Sequence, residues 1–187
     1  MISTSDFKTG LTIELDGKIY QIVTHEFHKP GKGGAVVRTR LRDMKTGNVF
    51  AKTFRSGEKV EAARVDRKEM QYLYATGDAH VFMDLETYDQ VELDAQRIGD
   101  QAKWLKDGES VWFISHESNL LGIDVANTVD RRVIRTEPGL RGDTAQGGNK
   151  PATIEGGHVV TVPLFVEQDE VIRVDTRSGE YVTRVTS

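Results

Sequence analysis

Alternating hydrophobic and polar positions dominate the first third of the chain, and turn residues interrupt them at short intervals. Such alternation is typical of a β-strand with one buried face. Asp16-Gly17 is typical of a tight hairpin turn, and Lys45–Asn48 separates a later pair of runs. The predicted strands cover residues 11–15, 18–28, 35–44 and 49–54. We expect these strands to form a small twisted barrel or sheet.

The rest of the chain continues in this style, with one short helix predicted over residues 96–108 and Gly108 near its end. A long glycine-rich connection is predicted over residues 140–157. Strands followed by a short helix and further strands are typical of a small Greek-key barrel such as the OB-fold. The remaining predicted strands cover residues 67–77, 80–93, 110–118, 120–127, 128–139, 158–166, 170–179 and 180–186.

This spacing predicts an all-β chain of three small modules, with boundaries at residues 1–63, 64–127 and 128–187. Modules of roughly 60 residues have small cores, so we expect them to support one another. We expect Trp104 and Trp112 to lie in cores rather than to stack on bases.

The composition excludes several classes of protein. The 187 residues include no cysteine, which rules out disulfides, thiolate metal sites and thiol nucleophiles. No run of about 18 apolar residues is present that could form a membrane-spanning helix. Residues 1–10 lack the basic and apolar segments of a secretory signal, so we expect a cytoplasmic protein.

No enzyme motif is present in the sequence. The phosphate-loop pattern GxxxxGK[ST] is not met at residues 30–34, because Gly33 follows Lys32 and no helix follows. The carboxylates of residues 84–94 alternate along a predicted strand, which favours a solvated strand face over a cation site. No metal-ligand spacing connects the five histidines, His25, His28, His80, His116 and His158. We therefore expect no catalytic residue, no metal and no cofactor.

Charge is distributed unevenly along the chain. Residues 1–63 hold 11 Lys and Arg against 7 Asp and Glu, a net of +4, whereas residues 64–127 carry a net of -7 and residues 128–187 a net of -1. A basic first third on a chain of net charge -4 suggests one end that faces a polyanion. The alternative is a solvated basic surface that has no partner.

The predicted turn at residues 29–34 is unusual in its chemistry. Pro30 fixes one φ angle, and the three glycines of the segment surround Lys32 with the least obstructive residues available. No acid occurs between Lys29 and Asp43, and the returning strand carries Arg38, Arg40 and Arg42. A thin basic finger of this kind suits insertion into a crevice of nucleic acid. A mobile surface hairpin with a solubilising lysine is the alternative.

Several separated motifs resemble those of the bacterial elongation factor P family, in the same order and at similar spacing. They are PGKGGA at residues 30–35, FRSGEKVE at 54–61, YLYATGDAHVFMD at 72–84, PGLRGDTA at 138–145 and the stretch from NKPATIEGG to EYVTR at 149–184. The resemblance covers essentially the whole chain.

The resemblance implies a KOW-like barrel followed by two OB-folds, in an L shape that mimics tRNA. It implies a monomeric cytoplasmic factor, not an enzyme, that binds the 70S ribosome between the peptidyl and exit sites and relieves stalling at consecutive prolines. The implied partners are peptidyl-tRNA and ribosomal RNA. A free-standing OB-fold RNA-binding protein and a hairpin that docks to another protein are the alternatives.

The resemblance also implies roles for individual residues. Lys32 would be the tip residue, and a modifying enzyme is a further implied partner. A β-lysyl group, an amino-alcohol and an unmodified lysine are all compatible with this loop, whereas the sugar-bearing arginine of some relatives is not. The implied contacts are Lys29, Pro30, Gly31, Lys32, Gly33 and Gly34 for peptidyl-tRNA, Arg38, Arg40 and Arg42 for the RNA backbone, Gly142, Asp143 and Thr144 for the codon side, and Tyr181 and Arg184 for tRNA.

Overall fold

A computed structural model describes residues 1–31, 33–139 and 148–186 of the chain. Nearly all of its regular structure is antiparallel β-sheet, which confirms the prediction of an all-β fold. None of the helices in these ranges is long and apolar enough to cross a membrane.

The first sheet has six strands in the order β1-β6-β2-β3-β4-β5. The four predicted strands are confirmed, and two strands are added: β6 pairs with β2, and β1 pairs with β6. A short 3-10 helix, Thr4–Asp6, follows β1. The strands are β1 (Ile2–Ser3), β2 (Thr12–Leu15), β3 (Lys18–His28), β4 (Val36–Asp43), β5 (Val49–Arg55) and β6 (Lys59–Ala62).

One buried cluster forms the core of this sheet. Phe7 packs edge-to-face against Phe54, with ring centroids 5.3 Å apart. Strand β4 contributes Val37 and Leu41 to the cluster, since every second residue of the strand is buried and the residues in the alternate positions point to the other face. The buried members are Phe7, Ile13, Ile22, Val37, Leu41, Phe54 and Val60.

The second sheet has five strands in the order β11-β10-β7-β8-β9. The predicted continuous strand over residues 80–93 is wrong, because β8 ends at Asp84. The Asp84 carboxylate accepts the backbone N–H groups of Glu86 and Thr87 at 2.9 and 3.4 Å, and Tyr88 has a φ of +63°, which turns the chain. The strands are β7 (Asp66–Thr76), β8 (Ala79–Asp84), β9 (Gln90–Asp94), β10 (Ser110–His116) and β11 (Asn119–Asp124).

The helix predicted over residues 96–108 is much shorter in the structure. Helix α1 spans Ala95–Ile98, and Gly99 then has a φ of +62°, which an α-helix does not accommodate. The chain continues as a 3-10 helix over Gly99–Trp104. Trp104 is a core residue, as predicted, whereas Trp112 is half-buried with the Arg67 guanidinium 4.9 Å from its ring centroid.

The third sheet has five strands in the order β14-β13-β12-β15-β16. The prediction of an uninterrupted connection over residues 140–157 is wrong, because part of this segment is a strand. The sequence does not reveal this strand because a lysine, Lys150, occupies one of its inward positions. Lys150 is buried beside Ala152 and Ile154, and its ammonium group donates to the Glu137 carbonyl at 2.7 Å. The strands are β12 (Thr128–Thr136), β13 (Asn149–Ile154), β14 (Val159–Pro163), β15 (Val171–Asp175) and β16 (Tyr181–Val185).

Contacts between Cα atoms divide the chain into two compact units. The predicted module boundaries after residues 63 and 127 stay a prediction. The first unit comprises Met1–Lys68, Gln96–Asp100 and Trp112–Ile123, and the second comprises Glu69–Ala95, Gln101–Val111 and Asp124–Ser187.

A buried arginine connects several segments of the second unit. Arg131 on β12 is only 1% exposed, and its two terminal nitrogens donate to the two carboxylate oxygens of Glu109 at 2.8 and 2.7 Å. The same guanidinium donates to the backbone carbonyls of Trp104 and Asp130. A bidentate, fully buried guanidinium of this kind fixes both position and orientation of its partners.

We predict that Arg131→Ala lowers the free energy of unfolding by about 3 kcal/mol, the lower end of the range for breaking a buried ion pair. The lower end applies because the Glu109 side chain is 42% exposed, so water can solvate its carboxylate once the Arg131 guanidinium is removed. Arg173→Ala is the matched control, since Arg173 pairs with Asp130 at the surface at 2.7 Å and its loss should cost much less stability. Urea denaturation of the full chain measures both losses, and equal losses would contradict the role of Arg131.

Candidate nucleic-acid interface

The hairpin of β3 and β4 extends beyond the core of the first sheet. The two strands remain paired up to His28 and Val36, yet every residue from Thr24 to Lys29 is exposed. Phe27 is 63% exposed even though its partner Val37 is buried. We call the exposed end of this hairpin the finger: its β3 strand is held by backbone hydrogen bonds with little burial, whereas β4 remains paired with β5 up to Val36.

Residues 29–35 connect the two strands at the end of this finger. Lys29, Gly31, Gly33 and Gly34 are exposed, and Pro30 is half-buried. Gly33 has a φ of +110°, and a Cβ there would lie 3.9 Å from Pro30, so backbone conformation rather than space requires glycine. The predicted tip residue, Lys32, lies outside the described residues, and its role stays a prediction.

Three arginines on β4 share the face of the sheet opposite the core, and we call them the arginine face: Arg38, Arg40 and Arg42. They alternate with the buried residues Val37, Thr39 and Leu41, so the strand's period of two sends every second side chain outward. Arg38 and Arg40 are exposed and Arg42 is half-buried. The sequence prediction that these three side chains act together agrees with their common face.

The electrostatic surroundings leave the arginine face available to an anion. On the neighbouring strand β3, Glu26 is the cross-strand partner of Arg38, and Thr24 is the cross-strand partner of Arg40. No ion pair or side-chain hydrogen bond holds the three guanidinium groups within residues 1–31, 33–139 and 148–186. Three guanidinium groups spaced at every second residue of one strand, and unpaired within the described part of the chain, can contact successive phosphates of an RNA backbone.

Two further cationic or polar side chains belong to this face and were missed by the sequence analysis. His28 on β3 and Arg55 on β5 both lie opposite Val36, which is two residues before Arg38 and therefore on the same face. The predicted fourth strand ended at Phe54. Strand β5 continues one residue further, to Arg55.

The predicted residues of the last third are only partly within the described chain. Gly142, Asp143 and Thr144 lie outside it. Tyr181 and Arg184 lie on β16, where a register shift places them opposite Val174 and Ile172, so both share one face of the sheet. Without that shift, residues three apart on a strand would point to opposite faces.

Arg184 is held by two neighbours rather than fully solvated. Its guanidinium donates to the Glu170 carboxylate at 3.0 Å and lies 5.5 Å from the ring centroid of Phe165. Phe165 is 58% exposed. The arrangement orients the guanidinium and presents an aromatic ring beside it, which suits stacking on a base as well as contact with a phosphate.

A solved structure gives the first comparison with known proteins. The chain is similar to eukaryotic translation initiation factor 5A from Methanococcus jannaschii, with 29% identity, a TM-score of 0.50, and coverage of 64% of this chain and 88% of that chain. The class of protein that this similarity indicates is a translation factor.

Family models and full-length relatives then define the family. The model of the elongation factor P KOW-like domain matches residues 3–60, that of the OB domain matches 65–123, and that of the C-terminal domain matches 129–184. Proteins named elongation factor P from Pelotomaculum thermopropionicum and Carboxydothermus hydrogenoformans are each 51% identical over 185 residues, which is 99% of this chain and 100% of theirs.

The chain belongs to the elongation factor P family, and it is a translation elongation factor rather than an enzyme. The predicted order of a KOW-like domain followed by OB domains is confirmed. This membership disfavours both alternatives, the free-standing RNA-binding protein and the hairpin that docks to another protein.

We predict that Arg38→Ala combined with Arg40→Ala weakens binding to ribosomes and flattens its dependence on salt. If both guanidinium groups contact phosphates, the slope of log K against log salt should fall by about 1.4–1.8, at about 0.7–0.9 per contact. Affinity measured across a salt series tests this.

Lys18→Ala combined with Lys59→Ala is the control for this prediction. It removes the same charge from exposed positions of the same sheet that lie outside the arginine face. The arginine face has no phosphate contacts if the two double variants change the slope equally, or if neither changes it.

Proposed function

We propose that this chain binds the ribosome between the peptidyl and exit sites and stimulates peptide-bond formation when consecutive prolines stall synthesis. The observation that carries the proposal is the exposed hairpin, which ends in a glycine-rich loop and carries the arginine face. Membership of the elongation factor P family supports it.

The chemical problem lies in the substrate. Proline's ring restricts φ and its nitrogen is secondary, so it is a poor partner in peptide transfer. A misplaced end of the peptidyl-tRNA then slows the reaction. Holding two reactants in a productive pose is worth up to about 7–11 kcal/mol, and each ~1.4 kcal/mol changes the rate tenfold. A small part of the available effect therefore suffices to relieve a stall.

The residues divide this task between them. The arginine face contacts phosphates of ribosomal RNA or tRNA and fixes the orientation of the hairpin. Lys32 steadies the CCA end of the peptidyl-tRNA through phosphate and ribose contacts, and Lys29 with Pro30 and the loop glycines forms the remainder of that contact. No side chain of the factor touches the reacting atoms, so the ribosome carries out the chemistry.

The last third of the chain supplies the remaining contacts of the factor on the ribosome. Gly142, Asp143 and Thr144 approach the codon of the exit site, while Tyr181 and Arg184 contact tRNA. The factor acts as a monomer in the cytoplasm, and an enzyme that modifies the Lys32 amine is a further partner.

We predict that Lys32→Ala folds normally and loses most of its stimulation of proline–proline synthesis. Folding should persist because the flanking residues Gly31 and Gly33 are exposed and bury no apolar surface. The comparison is a reconstituted translation assay with a thermal melt of each protein. Lys45→Ala is the control, because Lys45 is an exposed lysine in the turn between β4 and β5, away from the tip. Full stimulation by a folded Lys32→Ala protein would remove Lys32 from the mechanism.

A further inference from the structure

A polar cleft of about 440 Å³ lies within the second unit, and the proposed function does not use it. Its volume is in the range of small-molecule sites. Six polar side chains line it: Lys103, His158, Thr161, Arg177, Ser178 and Glu180.

The imidazole in this cleft is held by a buried ring. His158 packs edge-on against Trp104, with ring centroids 4.9 Å apart, and Trp104 is 2% exposed. The Nε2 atom lies 3.7 Å from the place a Cβ would occupy at Gly179, a residue of the cleft wall. Burial, followed by the nearby charge of Lys103, lowers the pKa of His158 below its usual value of 6.5. At neutral pH the ring is therefore uncharged and offers one N–H donor and one acceptor.

The guanidinium in the cleft is oriented by a carboxylate. Arg177 donates through Nε and Nη2 to the two oxygens of Asp175 at 3.1 and 2.6 Å. These hydrogen bonds lower the pKa of Asp175 to about 2, so the pair stays ionised at neutral pH. The N–H groups of Nη1 are not used by this pair and remain for a ligand.

The hydroxyl groups of Ser178 and Thr161 add neutral hydrogen-bond donors to the cationic donors of the cleft. The Ser178 hydroxyl oxygen accepts the Glu180 backbone N–H at 3.3 Å, which leaves the hydroxyl proton free to donate. Thr161 lies on the exposed face of β14. Several donors that converge on one space, two of them cationic, match the many acceptor oxygens of a phosphate group better than the two oxygens of a carboxylate.

We propose that this cleft is a binding site for a phosphate group, with Lys103 and Arg177 as its cationic contacts. The phosphate could belong to an RNA backbone or to a small phosphorylated compound, and these share the chemistry that the cleft recognises. The Glu180 carboxylate opposes the ligand, and it limits binding to groups that satisfy the donors on the other walls. The site is separate in residues from the arginine face and does not depend on the proposed function.

Binding can be followed by NMR, using the His158 ring and the Trp104 indole N–H as reporters at constant ionic strength with chloride as the balancing anion. The probes are inorganic phosphate, uridine 5′-monophosphate and a short oligouridylate. We expect saturable shifts at both reporters with at least one probe. Much tighter binding of the oligouridylate than of the monophosphate indicates an RNA backbone, and equal binding indicates a free phosphate compound.

Three charge variants make the test specific. Lys103→Ala should weaken binding about tenfold, as expected for loss of a charge-assisted contact. Glu180→Gln should strengthen it several-fold, because the opposing charge is removed. Lys106→Ala is the matched control and should change it less than about twofold, since Lys106 lies on the same segment but pairs with Glu155 at 3.0 Å.

Two outcomes would overturn the proposal. One is the absence of any saturable shift with all three probes. The other is equal weakening by Lys103→Ala and Lys106→Ala with no gain from Glu180→Gln, which would indicate a general effect of net charge. A melt of each variant verifies that it is folded, and neither outcome bears on the Lys32 prediction.

Discussion

The two-residue alternation of β4 is the constraint on which the proposed interface depends. Val37, Thr39 and Leu41 are each no more than 3% exposed, and this burial fixes the register of the strand in its sheet. A slip of one residue would bury the guanidinium groups and expose the core. The hydrophobic core thus determines which side of the hairpin carries positive charge, and a single strand serves both stability and recognition.

The arginines of this chain fall into groups that the structure separates by their partners. Arg131 is buried and bidentate, so its charge stabilises the second unit and is not accessible to RNA. Arg173 is paired with Asp130 at the surface, and Arg177 is paired with Asp175 through Nε and Nη2, which leaves its Nη1 N–H groups for a ligand. Arg38 and Arg40 are exposed on a face that has no such pairing within the residues that the structure describes. Partners, rather than the number of positive residues, indicate where an anionic ligand can bind.

The sequence predicted most of the strands because runs of β-favouring residues are separated by turn residues at short intervals. The errors occurred where another physical effect replaced the alternation. Lys150 occupies an inward position, which its hydrogen bond to the Glu137 carbonyl permits, and strand β13 was therefore missed. The positive φ of Gly99 divided a segment that reads as one helix. The shared face of Tyr181 and Arg184 depends on a register shift that local spacing does not reveal.

Site-directed cross-linking can show whether the hairpin loop reaches the end of the peptidyl-tRNA. The chain has no cysteine, so one introduced by Gly34→Cys is a unique attachment point for a photoreactive group. No atom of the described residues lies within 4 Å of a Cβ at Gly34, so the change should be tolerated. Lys45→Cys, in the turn between β4 and β5, is the control. On ribosomes stalled at consecutive prolines, the account predicts cross-links from position 34 to the 3′ end of the peptidyl-tRNA and none from position 45. Cross-links from position 34 to ribosomal protein alone, or equal tRNA cross-links from both positions, would contradict it.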